Sequence, residues 1–388
     1  MTASGLFVGC MTGTSVDGLD LALIRVEESS GTNGLAQETV EVVAADTLAL
    51  PADLQQALLA CGQPDSSSVE LLGSCDSYLG DFIGQSVAQW LDRNNVEATS
   101  VMAIGSHGQT VRHRPPGSAA HPFTLQIGDP NRIAEASGIQ TIADFRRRDI
   151  AAGGQGAPLA PAFHQVIFGH LGSATCVVNI GGISNISPLD GSSQGFDSGP
   201  GNCLMDEWYR QHHRAPDARS FDAEGAWAAS GRCDEALLNH WLLDPYFAKP
   251  QPKSTGREYF NQAWLQESGA LATVNTITPE NLQATLAELT ARSIASAISG
   301  VMKTIDYVPV CGGGRMNAYL MSRIEANLLA EGFACEVQAT EHWNVDGDAI
   351  EAAAFAWLAY RRLSGLPGNL SAATGASGER VLGAIYPA

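Results

Sequence analysis

Gly9-Cys10-Met11-Thr12-Gly13-Thr14-Ser15-Val16-Asp17-Gly18 lies between two apolar runs, and its reading decides the fold. Leu6 to Cys10 reads as a short buried strand, Leu19 to Val26 as its hairpin partner, and Thr12 to Asp17 as the turn between them. The arrangement returns at Ala174 to Ile180, where Gly181-Gly182 bends the chain and Ile183 to Leu189 runs back. A third glycine-rich turn, Cys311-Gly312-Gly313-Gly314-Arg315-Met316-Asn317, follows the short strand Val308 to Cys311. Without a Cβ, glycine lets backbone N–H groups close on an anion, so repeated turns of this kind at strand ends point to a bound polyphosphate. The two hairpins form a weak internal repeat and predict two related lobes that bind a nucleotide between them.

A chain of 388 residues exceeds what one hydrophobic core usually supports, which also predicts two domains. We place them at 1–150 and 151–388, with the last residues able to return to the first lobe. The balance of 22 Lys+Arg against 41 Asp+Glu gives a net charge of −19, which repels nucleic acid and anionic membranes. Lysine occurs only at Lys249, Lys253 and Lys303, and none follows a glycine, so a P-loop is excluded. The strand lysine and His-Arg-Asp loop of a protein kinase are missing, and no turn has the spacing of a dinucleotide fingerprint. The eight cysteines are scattered singly, with no C-x-x-C pair to suggest zinc or redox chemistry. With no basic leader and no long apolar segment, a soluble cytoplasmic protein is expected.

Between the hairpins, Val69 to Trp90 has the apolar spacing of one helical face, and Val101 to Gly105 and Gln140 to Asp144 read as parallel strands ending at a cleft near His107 and Asp144. Leu282 to Met302 reads as another amphipathic helix, and a further helix begins near Asn317 behind the third glycine turn, offering its N-terminus to an anion. Ser29 to Ala36 and Pro116 to His121 read as surface loops, and the Gly/Pro/Ser/Ala-rich tail from Gly365 to Ala376 predicts a chain end on the surface.

Several side chains suit phosphoryl chemistry. Asp17 and Asp20 flank the first turn and could hold Mg²⁺ directly or through water; an Asx-turn and a surface position are the competing readings, and the apolar neighbours of Asp20 favour function. Asp197, in Phe196-Asp197-Ser198-Gly199-Pro200, could accept a proton from a hydroxyl or water, or simply cap a helix beginning near Cys203. Arg146 could bind a carboxylate or phosphate bidentately, while Arg147 and Arg148 read as solvated charge. Spacing alone makes Glu351 the closing residue of a capping box opened by Asp348. His107 reads equally as a ligand contact or a hydrogen-bonded core histidine, and the role of Lys253-Ser254-Thr255 stays open.

Taken together these segments resemble the anhydro-N-acetylmuramic acid kinase family, a branch of the sugar kinase, actin and heat-shock ATPase superfamily. The resemblance spans nearly the whole chain. It rests on the first turn through Asp20, Ser106-His107-Gly108-Gln109-Thr110, Asp144-Phe145-Arg146-Arg147, Gly153-Gly154-Gln155-Gly156-Ala157-Pro158-Leu159, Asn179-Ile180-Gly181-Gly182, Asp197-Ser198-Gly199-Pro200, Lys253-Ser254-Thr255-Gly256-Arg257-Glu258, Cys311-Gly312-Gly313-Gly314 and Leu366-Pro367-Gly368-Asn369-Leu370. It implies an α/β fold of two RNase H-like (actin-type ATPase) domains, each a mixed sheet flanked by helices, with a cleft between them. ATP would be held by Gly13, Thr14, Ser15, Val16, Asp17, Gly18, Leu19 and Asp20, by Gly181 and Gly182, and by Gly312, Gly313 and Gly314, with Mg²⁺ at Asp17 and Asp20. It implies a reaction of ATP, water and 1,6-anhydro-N-acetylmuramic acid giving N-acetylmuramic acid 6-phosphate and ADP, a step of cell-wall recycling and amino-sugar catabolism. Asp197 would be the catalytic carboxylate, Arg146 and Glu351 would contact the sugar, which weighs against a purely capping Glu351, and the family suggests a homodimer. An ordinary hexose kinase and an actin-like nucleotide-gated scaffold are the competing expectations.

Overall fold

The computed structural model describes residues 4–13, 16, 18–30, 36–63, 68–192, 194–214, 219–251, 253–267 and 277–388. The chain forms two compact units, Met1–Ile167 with Asp348–Ala388, and Phe168–Gly347.

The first unit is built on a sheet of β1 (Gly5–Met11), β2 (Gly18–Ser30), β3 (Ala36–Ala49), β4 (Val101–Ser106), β7 (Thr141–Ala143) and β13 (Ala384–Tyr386), in the order β13-β7-β4-β1-β2-β3. β1, β2 and β3 are a consecutive antiparallel meander, while β4 and β7 add in parallel on the other side of β1. A ribbon of β5 (Gln109–Arg114) and β6 (Phe123–Ile127) stands apart from the sheet. The helix Val69–Arg93 buries Leu79, Ile83, Val87 and Trp90 in the same cluster as Val8, Leu21 and Ile104. The helix Ile350–Leu363 packs on β1, β2 and β4. It comes so near that a Cβ on Gly9 or Gly105 would run into the backbone carbonyls of Ala352 and Phe355. Glycine at both strands is therefore a requirement of helix-on-sheet contact.

The second unit repeats the strand plan with β8 (Cys176–Ile180), β9 (Ile183–Pro188), β10 (Phe196–Pro200), β11 (Tyr307–Cys311) and β12 (Glu336–Ala339), ordered β10-β9-β8-β11-β12. Again the first three strands are an antiparallel meander, and the fourth and fifth add in parallel beside the first. Counting the sheet strands within each unit, both read 3-2-1-4-5, the RNase H-like order expected of related halves, and the first sheet adds β13 as a sixth strand at its edge. The helix Pro279–Ser299 is the centre of this unit's core, with Leu282, Leu286, Leu289, Ile294 and Ile298 among its buried residues.

Three expectations change. The domain boundary lies between Ile167 and Phe168, and the chain returns to the first unit at Asp348. The helix Ala160–Phe168 places Phe163 against Trp357 of the returning helix, so the segment after residue 150 belongs with the first core. The two ends of Ser29 to Ala36 are strand, because β2 runs to Ser30 and β3 starts at Ala36; residues 31–35 lie outside the described residues. The helix Pro279–Ser299 is buried well beyond one face, polar Gln283, Glu288, Thr290 and Ser293 included; Glu288 meets Arg323, Arg292 and Asn327. The Gly365 to Ala376 segment is partly buried, at Asn369, Ala373 and Thr374, while Pro387 and Ala388 at the chain end are exposed as expected.

Candidate functional site

In the second unit Asp197 sits on β10, where its pairing with β9 slips between Asp197 and Gly199. The capping reading does not hold: the helix Cys203–His212 has Asn202 as its N-cap, and β10 holds Asp197 well before it. Asp197 is clasped by the loop that carries Lys253 to Thr255. Its amide donates to Lys253 O (3.1 Å), its Oδ2 accepts from the Thr255 amide (2.9 Å), and its carbonyl accepts from the Tyr246 hydroxyl (2.7 Å). Lys253 Nζ in turn donates to Phe247 O (3.0 Å) and lies over the Tyr246 ring. Burial pushes the Asp197 carboxyl up to about 7, with the Thr255 amide pulling it down and Glu258 raising it further. A carboxyl poised there is matched to general-base work near neutral pH. The Thr255 hydroxyl, buried beside this clasp, has no hydrogen-bond partner among the described residues.

The glycine turns of the same unit are anchored from behind. At the β8–β9 tip, Gly181 O accepts from Asn202 N (2.9 Å) and Gly182 O from Gly201 N (3.0 Å), and the Arg257 guanidinium lies over Gly182. Gly312 follows β11 with φ 74°, and a Cβ there would sit 2.7 Å from Ile180 O, so only glycine keeps this turn folded against β8. Arg315, buried, donates to Glu341 (2.7 Å) and to Gly312 O (3.2 Å), bracing the turn. Asn317 caps the helix Ala318–Ala330 that follows.

In the first unit, Thr12 Oγ1 at the first turn donates to Gly108 O (3.1 Å), and the His107 amide donates to Cys10 O (3.0 Å). Val16 adopts φ 55°, a left-handed conformation that a β-branched residue rarely takes, and Gln55 Nε2 donates to its carbonyl (2.7 Å). Gly13 is described, and Gly18 and Leu19 open β2; Thr14, Ser15 and Asp17 lie outside the described residues. Asp20 on β2 stands opposite Met11 and accepts from Thr47 Oγ1 (2.7 Å).

Further along the same unit, Arg146 donates from Nε to His107 Nε2 (2.9 Å) and from NH1 to Gly156 O (2.8 Å). Because His107 Nδ1 faces the Gly108 carbonyl (2.8 Å), which can only accept, its proton is on Nδ1 and Nε2 receives from the arginine. Burial and the neighbouring Arg146 hold His107 well below its ordinary pKa, and the neutral ring packs on Phe355. Burial brings Arg146 down to about 10, against the opposing charges of Glu351 and Asp149. Glu351 enters through its field on Arg146, at the start of the helix Ile350–Leu363, whose N-cap position is Ala349.

A family model for anhydro-N-acetylmuramic acid kinase matches residues 5–388. The chain belongs to the anhydro-N-acetylmuramic acid kinase family. A kinase of that description from Xanthomonas campestris pv. campestris (strain 8004) is 46% identical over 390 residues, covering 100% of this chain and 98% of its own. The counterpart from Xanthomonas axonopodis pv. citri (strain 306) is also 46% identical, covering 99% of each chain. Among solved structures, the Acidaminococcus fermentans (R)-2-hydroxyglutaryl-CoA dehydratase component A aligns over 92% of this chain and 99% of its own, at 12% identity and a TM-score of 0.44.

For a member of the anhydro-N-acetylmuramic acid kinase family, the fit to ATP rests on the turn at Gly312 that tolerates no Cβ and on the Arg257 guanidinium over Gly182. Among the described residues no three His, Cys, Asp or Glu side chains converge as a metal cage. Mg²⁺ keeps several waters and usually takes one or two carboxylates, so Asp20 suits it as a single oxygen donor. Arg257, Tyr246 and the Thr255 amide were not singled out by spacing. The Lys253 to Glu258 motif was the only signal for Arg257 and Thr255, it does not disclose that this loop folds onto Asp197, and Tyr246 had none.

Proposed function

We propose that this chain is an ATP-dependent kinase that opens the 1,6-anhydro ring of 1,6-anhydro-N-acetylmuramic acid with water and phosphorylates O6, giving N-acetylmuramic acid 6-phosphate and ADP. The observation that carries the reading is the Asp197 carboxyl, raised to about 7 and oriented through the Thr255 amide, in a chain of this family. Asp197 takes a proton from water as the water oxygen bonds to the anomeric carbon. The bond from that carbon to O6 breaks, O6 receives the γ-phosphoryl group of ATP, and the proton leaves Asp197 for solvent. Arg146 and Glu351 hold the sugar, and a neutral His107 keeps the guanidinium oriented without adding charge. Backbone amides of the turns at Gly13 to Asp20, Gly181-Gly182 and Gly312 to Gly314 cradle the phosphates, with Arg257 offering a guanidinium beside Gly182. Mg²⁺ bound near Asp17 and Asp20 would neutralise charge on the β- and γ-phosphates. Working in the cytoplasm as a homodimer is part of the same reading.

The test is ADP release with Mg²⁺ and ATP on 1,6-anhydro-N-acetylmuramic acid, N-acetylmuramic acid, N-acetylglucosamine and no sugar, with ¹⁸O-labelled water. Turnover on the anhydro-sugar alone, with one label at the anomeric carbon, is expected. Turnover on the open-ring sugar would make the chain a plain hexose kinase. Equal turnover without sugar would make it a nucleotide-gated scaffold.

A further inference from the structure

We propose that Asp149 is a positioning residue for Arg146, and that the Gly153 to Leu159 and Leu366 to Leu370 motifs exist to hold it; this rests on the reading that Arg146 contacts the sugar. Asp149 is wholly buried in the short helix Arg147–Ala151. Its Oδ2 accepts from Gly156 N (2.8 Å), while Oδ1 accepts from Asn369 Nδ2 (2.6 Å) and Thr374 Oγ1 (2.7 Å). The carboxylate thus gathers one loop that follows it directly and two points of a segment more than 200 residues away.

Each partner is fixed in its turn. Asn369 Oδ1 accepts from Arg380 N (2.6 Å), Thr374 O accepts from Gln155 N (2.7 Å), and Ala152 O accepts from Ser377 N (2.8 Å). The consequence reaches Arg146 through Gly156, whose amide is bound by Asp149 and whose carbonyl accepts from Arg146 NH1. With Nε on His107 and NH1 on Gly156, the guanidinium fork is held in one plane before any ligand arrives. A buried carboxylate is a costly way to close a loop that neutral groups could close. Here the same charge also offsets the buried guanidinium of Arg146.

A purely structural knot and a positioning device differ in what they change. A knot lost lowers melting temperature alone, whereas misplacing Arg146 raises the KM for the sugar and leaves that for ATP untouched. Steady-state kinetics and thermal melts on the full chain compare wild type, Asp149→Asn, Thr374→Val, Thr374→Ser and Arg146→Lys. We expect Asp149→Asn to raise the sugar KM about tenfold or more and Thr374→Val about threefold, in line with loss of hydrogen bonds to a charged group. The ATP KM stays within about twofold, and Thr374→Ser, which keeps the hydroxyl, restores the wild-type value. A lower melting temperature with an unchanged sugar KM in Asp149→Asn and Thr374→Val overturns the inference. If Asp149→Asn does not fold, the Thr374→Val and Thr374→Ser pair decides it. Wild type without anhydro-sugar-dependent turnover sinks the kinase reading and this inference with it. An Arg146→Lys effect on sugar KM that Asp149→Asn does not share sinks this inference alone.

Discussion

The two units share a strand order and a hairpin at the same place, yet they are finished differently. After the fourth strand, the first unit continues into Ser106-His107-Gly108, and its histidine meets Arg146; after the corresponding β11, the second unit continues into Gly312-Gly313-Gly314. The third strand β10 carries Asp197 in a register slip, while its counterpart β3 is a long edge strand whose Glu38 receives Trp357 Nε1 from the returning helix. One unit gathers side-chain charge, a buried arginine opposed by carboxylates. The other gathers glycine turns and the Asp197 carboxyl, whose pKa burial lifts above its usual value. The lesson is that one strand order leaves the residues at and just past the strand ends free to differ, side-chain charge in one unit and glycine turns in the other.

The sharpest way to break this comparison is Asp197→Asn. Turnover should fall by roughly 10²–10⁴-fold, the range of a lost general base, while calorimetry shows sugar and ATP affinities within a few-fold of wild type. Loss of both affinities together would make Asp197 a structural residue. Next comes pH. With the carboxyl raised to about 7, kcat/KM should climb as pH rises through that value, and Asp197→Asn should lack the limb. The stability sign follows from the same shift. Because the folded value lies above the ordinary 3.8, Asp197 favours the fold below 3.8, loses that contribution as pH rises toward about 7, and burdens the fold fully above it. The melting temperature of Asp197→Asn relative to wild type should therefore increase between pH 4 and pH 8; a constant difference would contradict the raised carboxyl.

Gly312→Ala tests the second unit. At φ 74° with β8 backbone beside it, the methyl group should raise the ATP KM about tenfold and leave the sugar KM alone; an equal rise in both would assign the turn to general folding. The smallest effect is expected at Thr47→Val, which removes one hydrogen bond from Asp20. The Mg²⁺ concentration giving half-maximal rate should shift by no more than about threefold, the scale of one exposed hydrogen bond, and a tenfold shift would give Thr47 a larger part.

Much of this was legible because it depends on local pattern. The hairpin strands, the helix over Val69 to Arg93 and the turn at Gly312 announce themselves through apolar spacing and glycine. β3 was hidden because it begins at Ala36, where a stretch that reads as loop ends, and pairs far beyond the apolar part of β2. The burial within the Gly365 to Ala376 segment was hidden for a different reason: it is driven by Asn369 and Thr374 meeting a carboxylate, and no hydropathy pattern marks polar residues that are buried through hydrogen bonds. Arg146 stood out in the sequence as a candidate, but its clamp of His107 and Gly156 joins segments distant in sequence and had no local signal.

The helix Ile350–Leu363, seated so tightly on Gly9 and Gly105, sets an order of events during synthesis. The second unit is one continuous stretch of chain, whereas the first is begun by the opening residues and finished by the closing ones. A nascent chain therefore holds the meander of β1, β2 and β3 without the helix that covers one face, and it completes its later half before its earlier one. Whatever shields that open sheet in the interval guards the first part made and the last part assembled.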